Sequence, residues 1–275
     1  MLVPLKEILR DAREKQYAVG AFNLLNLEMG RGIIEAAQEE RSPVILALAQ
    51  IHLPYLPFGY AGLIMRDIAA RASVPVCLHF DHGTDSDAIL AAAKEGFSSV
   101  MYDGSALPFE ENVKNTRGVV ELVRGMGVSV EAELGHVGGG EDGLDDGYAA
   151  NYTDPAQVGE YIERTGIDAL AVAIGTAHGK YLRPPVLSIG LLARIRGISG
   201  VPLVLHGGSG LSDGDFTDAI QNGICKVNIY TELAVAAQGA YNAGAGFEQS
   251  LIDAKDAVKE VARRKMRLFG SCGRA

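Results

Sequence analysis

Short apolar runs rich in β-branched residues alternate along this chain with longer stretches whose apolar positions recur every three to four residues. The runs are "YAVGAFN" (17–23), "PVILALA" (43–49), "VPVCLHFDH" (74–82), "SSVMYDGS" (98–105), "VSVEAELG" (128–135), "ALAVAIG" (169–175), "PLVLHGG" (202–208) and "CKVNIYT" (225–231). The spacing predicts helices over 28–41 and about 61–72, in "SDAILAAAKEG" and "FEENVKNTRGVVELVRGMG", and from near Asp154, Leu187, Asp213 and Thr231. Near-continuous apolar strands, each followed by a helix, read as a parallel sheet covered by helices. Eight such units predict an α/β fold, a closed (β/α)8 TIM barrel. A doubly wound sheet is the alternative, but eight successive β/α units favour closure, and the Gly-rich loop "GHVGGGEDG" is not read as a dinucleotide fingerprint. No linker or charge block divides the chain, so one barrel domain is expected over 1–275. Its single extended loop, 136–153, has the glycines of a mobile lid.

Polar residues interrupt this pattern at one kind of place, the C-terminal ends of the strands, where barrels of this type carry their active sites. Strand 3 ends in Asp81-His82, strand 4 in Asp103, and strand 5 in Glu131 and Glu133. Strand 6 runs into "GTAHG" with His178, strand 7 into "LHGGSG" with His206, and strand 8 into "VNIYT" with Asn228 and Thr231. Burying such groups is costly unless they are solvated or used. Three imidazoles on one rim, His82, His178 and His206, are a common ligand set for catalytic zinc. His52, His79 and His136 lack that company, and His79 reads as a satisfied core histidine. Successive strand residues face opposite ways, so Asp81 and His82 share a site only if the chain turns there. Gly83 would permit that turn.

The loops after strands 7 and 8 are where these barrels commonly bind phosphate. Backbone N–H groups around Gly207 and Gly208, with the Ser209 and Thr231 hydroxyls, would cradle a dianion at a helix N-terminus. Gly179 adds to this beside His178. In the long loop, Glu141 and Asp142 are either solvated or brought into the site by closure.

Charge and composition narrow the class. Formal net charge is -9 and 48% of the 275 residues are hydrophobic, which gives a large core and no basic footprint for nucleic acid. Cys77, Cys225 and Cys272 are far apart, without a CxxC or disulfide pattern, as in a reducing compartment. The N-terminal "MLVPLKEILRDAREKQ" does not read as a signal peptide, and no apolar stretch approaches the ~20 residues of a membrane span. A cytoplasmic protein with no membrane partner is expected.

Taken in order, "YAVGAFN", "SPVIL", "LHFDHG", "SVMYDGS", "FEENV", "VEAELGHVGG", "ERTGIDALAVAIGTAHGKY", "VPLVLHGGSG", "KVNIYTEL" and "KMRLFGS" resemble the class II, metal-dependent ketose-bisphosphate aldolases. The resemblance spans nearly the whole chain. It implies Zn2+ on His82, His178 and His206, with Glu133 and Asp103 as metal contacts in an alternative, resting placement. It implies that Asp81 takes the C4 hydroxyl proton and that Glu141 moves the other proton. Gly179, Gly207, Gly208, Ser209, Asn228 and Thr231 match the dihydroxyacetone-phosphate site, Ile229 and Tyr230 contribute backbone or bulk, and Asn23 lies near the substrate. Family members use a phosphorylated sugar, often a monovalent cation (Na+ or K+) near the phosphate, and form homodimers or homotetramers. The implied reaction cleaves a fructose- or tagatose-type 1,6-bisphosphate to dihydroxyacetone phosphate and an aldehyde such as glyceraldehyde 3-phosphate.

Two departures concern the aldehyde half. Ala49 stands where many relatives carry Ser or Thr, and the loop after it, "QIHLPYLPFGY", is unlike theirs. The Arg for a second phosphate has only Arg183, Arg267 and Arg274 as candidates, so the alternative is the same dihydroxyacetone-phosphate chemistry with a different aldehyde, phosphorylated or unphosphorylated. Three other readings are weaker: a Schiff-base enzyme on Lys226 or Lys180, a metal-dependent hydrolase, and a non-catalytic sugar-phosphate-binding barrel.

Overall fold

The computed structural model describes residues 1–138, 151–179, 185–244 and 246–275. Its strands are β1 (Val19–Asn23), β2 (Val44–Ala49), β3 (Val76–Gly83), β4 (Ser99–Tyr102), β5 (Ser129–Leu134), β6 (Ala169–Val172), β7 (Leu203–Leu205) and β8 (Ile224–Ile229). They pair in parallel in chain order, and β8 returns to β1, so the sheet closes as a (β/α)8 barrel. Helices α2 (Leu27–Glu40), α3 (Phe58–Arg71), α4 (Ser86–Lys94), α5 (Phe109–Val123), α6 (Pro155–Thr165), α7 (Ile189–Ile198), α8 (Asp213–Gln221) and α9 (Thr231–Tyr241) follow the strands in turn. Their starts agree with local chemistry: Asn26, Asp85 and Asp154 cap α2, α4 and α6, and Ser212 with Asp215 forms a capping box on α8.

Strand residues divide by parity into two packing layers. Phe22, Leu46, Leu48, Leu78, Phe80, Val100, Leu134, Val172, Leu205 and Ile229 pack outward into the large core shared with the helices. Val19, Ala21, Ile45, Cys77, Met101, Ala169, Ala171 and Val204 face the barrel interior. That interior is closed below by α1 (Leu5–Lys15), a helix not anticipated in the N-terminal segment. Leu5, Ile8, Leu9 and Ala12 form its buried stripe at helical spacing.

A second unanticipated helix, α10 (Phe247–Leu268), packs along α2. There Glu40 accepts from Arg267 Nη2 at 2.6 Å and from Arg263 Nε at 3.1 Å. These guanidiniums, Arg267 foremost, hold the Glu40 carboxyl at about 2, below its ordinary 4.5, against the upward push of burial. Its contribution is therefore complete above pH 4.5 and lost as pH falls through about 2. Glu40→Gln is expected to cost about 1 kcal/mol at neutral pH, a deficit that closes on acidification; denaturant unfolding at several pH values measures it. Glu40 lies where α2 leads into β2, at the floor of the barrel, and Arg274 sits there too, 5.4 Å over the Tyr17 ring. Arg267 and Arg274 are thus at the opposite end from the strand C-termini, which removes them as ligands for a second phosphate at this chain's own rim. Arg183 falls outside the described residues.

Candidate functional site

The turn that Asp81 and His82 require is present, but the expected hinge is displaced by one residue. His82 itself adopts a left-handed conformation, φ 47°, and the β3–β4 register shifts between Phe80 and Gly83. In a regular strand Asp81 would face the interior and His82 the helix layer; the bulge turns the His82 ring back over the rim. A non-glycine residue held at positive φ stores roughly 1–3 kcal/mol, a cost typical of functional sites. Gly83 is not at positive φ; it is needed for space. A Cβ there would lie 2.7 Å from the Met101 carbonyl oxygen and 2.8 Å from Ile89 Cγ1.

Asp81 is fully buried and held from two sides. Asn23 Nδ2 donates to Oδ2 at 3.0 Å, and Asn228 Nδ2 donates to Oδ1 at 3.0 Å and to Oδ2 at 3.1 Å. Burial pushes its carboxyl up, but His82, His79, Lys226 and His206 outweigh that and hold it well below the usual range. It is a carboxylate at neutral pH.

His82, His178 and His206 converge as expected: their donor nitrogens lie within 4.8 Å of one another. The rings of His178 and His206 stand 4.9 and 4.6 Å from that of His82, both nearly perpendicular to it. Carboxylates orient two of these rings. His82 Nδ1 lies 2.9 Å from Asp103 Oδ2, and His206 Nε2 lies 2.9 Å from Glu131 Oε1. Each carboxylate calls for an N–H on the nitrogen facing it, which leaves a lone pair on the far nitrogen of a neutral ring. Those far nitrogens, His82 Nε2 and His206 Nδ1, face each other at 2.8 Å. Two lone pairs so placed repel unless a cation, a proton or a metal ion, lies between them. Burial and neighbouring histidines also push the His178 and His206 pKa values down, favouring the neutral, ligating form. The donor set fits a zinc ion.

His82 also belongs to a second donor group with Asp103 and Glu133. Glu133 Oε1 accepts from the Val137 N–H at 2.9 Å, while the buried Oε2 has no hydrogen-bond partner among the described residues. Burial, with Asp103 nearby, pushes the Glu133 carboxyl up to about 8. An orphaned carboxylate oxygen beside a histidine nitrogen is chemically apt for an alternative metal placement.

Asn23, Gly179, Gly207, Gly208, Ser209, Asn228, Tyr230 and Thr231 line one cleft together with His178. At its edge α9 begins without a side-chain cap, so its first-turn N–H groups and positive dipole end suit an anion. Ile229 is the exception. Its side chain is buried in the outer core beside Phe22, so only its backbone is available to the site. Gly207, at φ 66°, lets the loops after β6 and β7 touch: a Cβ there would fall 2.5 Å from the Ala177 carbonyl oxygen. Gly207→Ala is therefore expected to lower stability by about 1–3 kcal/mol and to raise KM for a phosphorylated substrate, read by thermal unfolding and steady-state kinetics.

Three histidines set apart in the sequence reading are in fact close to the site. His52, on a 3₁₀ turn at Gln50–His52, packs against Tyr230 with ring centroids 4.4 Å apart. His136 Nδ1 lies 2.8 Å from Ser105 Oγ, which donates to Asp103 at 2.7 Å. His79 bonds Ser99 Oγ at 2.8 Å, the satisfied core histidine expected, yet its Nε2 is 3.5 Å from Asp81 Oδ1. Sequence reasoning also passed over the pairing of Glu131 with Lys226, whose Nζ is 2.8 Å from Glu131 Oε2. The usable signal was period two: His79 with Asp81, Glu131 with Glu133, and Lys226 with Asn228 share the inward face of their strands. Glu141, Asp142, Lys180 and most of the 136–153 loop lie outside the described residues.

Comparison with known proteins agrees with this geometry. Residues 3–274 match the profile of the family described as fructose-bisphosphate aldolase class-II. The uncharacterized protein YdjI of Escherichia coli (strain K12) is 44% identical, with the whole of both chains aligned. A fructose-bisphosphate aldolase of Staphylococcus epidermidis is 42% identical over 100% of this chain and 99% of its own. The crystal structure of the YdjI aldolase superposes with a TM-score of 0.92 at 42% identity, covering both chains completely. A match of this extent, on a closed barrel whose rim gathers the three histidines, places the chain in the class II fructose-bisphosphate aldolase family.

Proposed function

We propose that this protein is a zinc-dependent aldolase that reversibly cleaves a ketose 1,6-bisphosphate of the fructose or tagatose type. Its products are dihydroxyacetone phosphate and an aldehyde such as glyceraldehyde 3-phosphate. The observation that carries this reading is the pair of facing nitrogens on His82 and His206, with His178 beside them and the Asp81 carboxylate on the same rim. Zinc held by these three residues would supply Lewis-acid polarisation of the ketose carbonyl. Asp81 takes the proton of the C4 hydroxyl as the C3–C4 bond breaks, and the Asn23 and Asn228 amides fix its carboxylate for that transfer. The cleft between Gly179, Gly207–Ser209 and the start of α9 holds the phosphate of the dihydroxyacetone half. Glu141 is assigned the return of a proton to the carbanionic carbon. Glu133 and Asp103 offer the resting metal placement, and a Na+ or K+ ion near the phosphate, a homodimeric or homotetrameric assembly and a cytoplasmic location complete the proposal.

One observation favours a variant of this reaction with an unphosphorylated aldehyde. Ala49 sits in register with Asp81, offering no side-chain donor on that side, and Arg267 and Arg274 are at the barrel floor. The test is release of dihydroxyacetone phosphate from fructose and tagatose 1,6-bisphosphates, with chelator and with added zinc. Chelator-sensitive release supports the aldolase, and the rate ratio assigns the sugar. Stoichiometric zinc with no release from either sugar points to the other aldehyde; neither zinc nor release sinks the proposal.

A further inference from the structure

Below the rim, the barrel interior carries a charged pair where such barrels are usually packed with branched apolar side chains. Lys226 and Glu131 are both completely buried. Lys226 Nζ donates to Glu131 Oε1 at 2.9 Å and to Oε2 at 2.8 Å. A buried ion pair is a poor source of stability, because desolvating two charges offsets most of their attraction. Its contacts point to another use. Glu131 Oε1 also accepts from His206 Nε2 at 2.9 Å, the contact that turns His206 Nδ1 toward His82. On the other side, Lys226 Nζ is 3.4 Å from His79 Nε2, and that nitrogen is 3.5 Å from Asp81 Oδ1. Small inward residues on β6, Ala169 and Ala171, leave room for this cluster.

We propose that Glu131 and Lys226 act as a single positioning pair, fixing the His206 ring with Nδ1 toward the metal, while Lys226 also donates to His79 Nε2 in the layer beneath Asp81. The inference rests on the reading of His82, His178 and His206 as zinc ligands. Glu131 selects the tautomer and angle of His206. Lys226 fixes Glu131 against rotation and supports His79 beneath Asp81. Neither residue touches substrate.

The test uses the full chain, stripped of metal and titrated with zinc against a chromophoric chelator, as wild type, the double variant Glu131→Gln/Lys226→Met and a second double variant, Glu131→Leu/Lys226→Met. The first double variant removes both charges, so no unpaired ion is left buried. It is expected to unfold within a few degrees of wild type, yet to bind zinc about 10- to 100-fold more weakly, with kcat reduced and KM little changed. Glu131→Leu/Lys226→Met also leaves no unpaired charge and removes the acceptor facing His206 Nε2; it is expected to show at least the same loss of zinc affinity, which decides the matter if the first double variant folds poorly. Zinc affinity in both variants within twofold of wild type would overturn the inference and leave the pair a packing feature. A wild type that binds no zinc would overturn it together with the ligand assignment. A wild type that binds zinc without cleaving ketose bisphosphates counts only against those substrates, because the affinity comparison still decides the role of the pair.

Discussion

Replacing Asp81 with Asn is expected to lower kcat for ketose-bisphosphate cleavage by about 10³-fold, within the range a positioned general base contributes, while zinc stoichiometry stays at the wild-type value. The change is nearly isosteric, so packing in the fully buried position survives. What is lost is the charge and the proton affinity. The site makes the substitution especially unfavourable for catalysis, because Asp81 now accepts from the amide groups of both Asn23 and Asn228. An Asn side chain has one acceptor oxygen and presents its own N–H groups to one of those amides. Single-turnover cleavage with enzyme in excess, compared with zinc content, separates a missing base from a missing metal. A variant that loses tenfold or less would move the C4 proton to another group.

The second large effect is expected at His82, which is common to both donor groups. His82→Ala is expected to weaken zinc binding by well over the roughly 100-fold that orienting groups alone can cost, and to reduce activity to that of the chelator-treated enzyme. Chelator competition and metal analysis of the purified variant measure this. Backbone strain adds a distinguishing control. His82 has φ 47°, a conformation that costs a non-glycine residue roughly 1–3 kcal/mol, so His82→Gly should be more stable than His82→Ala while equally unable to hold metal. If His82→Ala retained wild-type zinc affinity, the ligand set proposed here would be wrong.

These two residues also show what local sequence conveys. Alternating apolar runs and helical stretches define eight β/α units because burial on both sides of a parallel strand leaves a continuous apolar signature. Strand ends bearing Asp81-His82, His178 and His206 stand out against that signature, since buried polar groups need partners. The cleft residues from Gly207 to Thr231 were legible for the same reason, being Gly and hydroxyl residues placed just after strands.

Orientation was less legible. Composition places Ile229 beside Asn228 and Tyr230, but parity turns its side chain to the helices. Arg267 and Arg274 are basic residues near the end of a chain whose last helix runs back to the barrel floor, a direction that only the packing of α10 on α2 establishes. Helix α1 was missed because its apolar stripe covers a barrel floor that exists only once eight strands have closed.

By itself, then, the sequence determined the order of the eight β/α units, the closed-barrel class and the polar residues at the strand ends, because each depends on local periodicity and on the cost of burying polar groups. Tertiary structure alone decided which of those residues meet. The left-handed turn at His82, the register shift between β3 and β4, and the Lys226–Glu131 pair joining β8 to β5 all arise from strand pairing between segments distant in the chain. No local pattern encodes the register of such pairings, and a shift of one residue reverses the face on which every side chain falls.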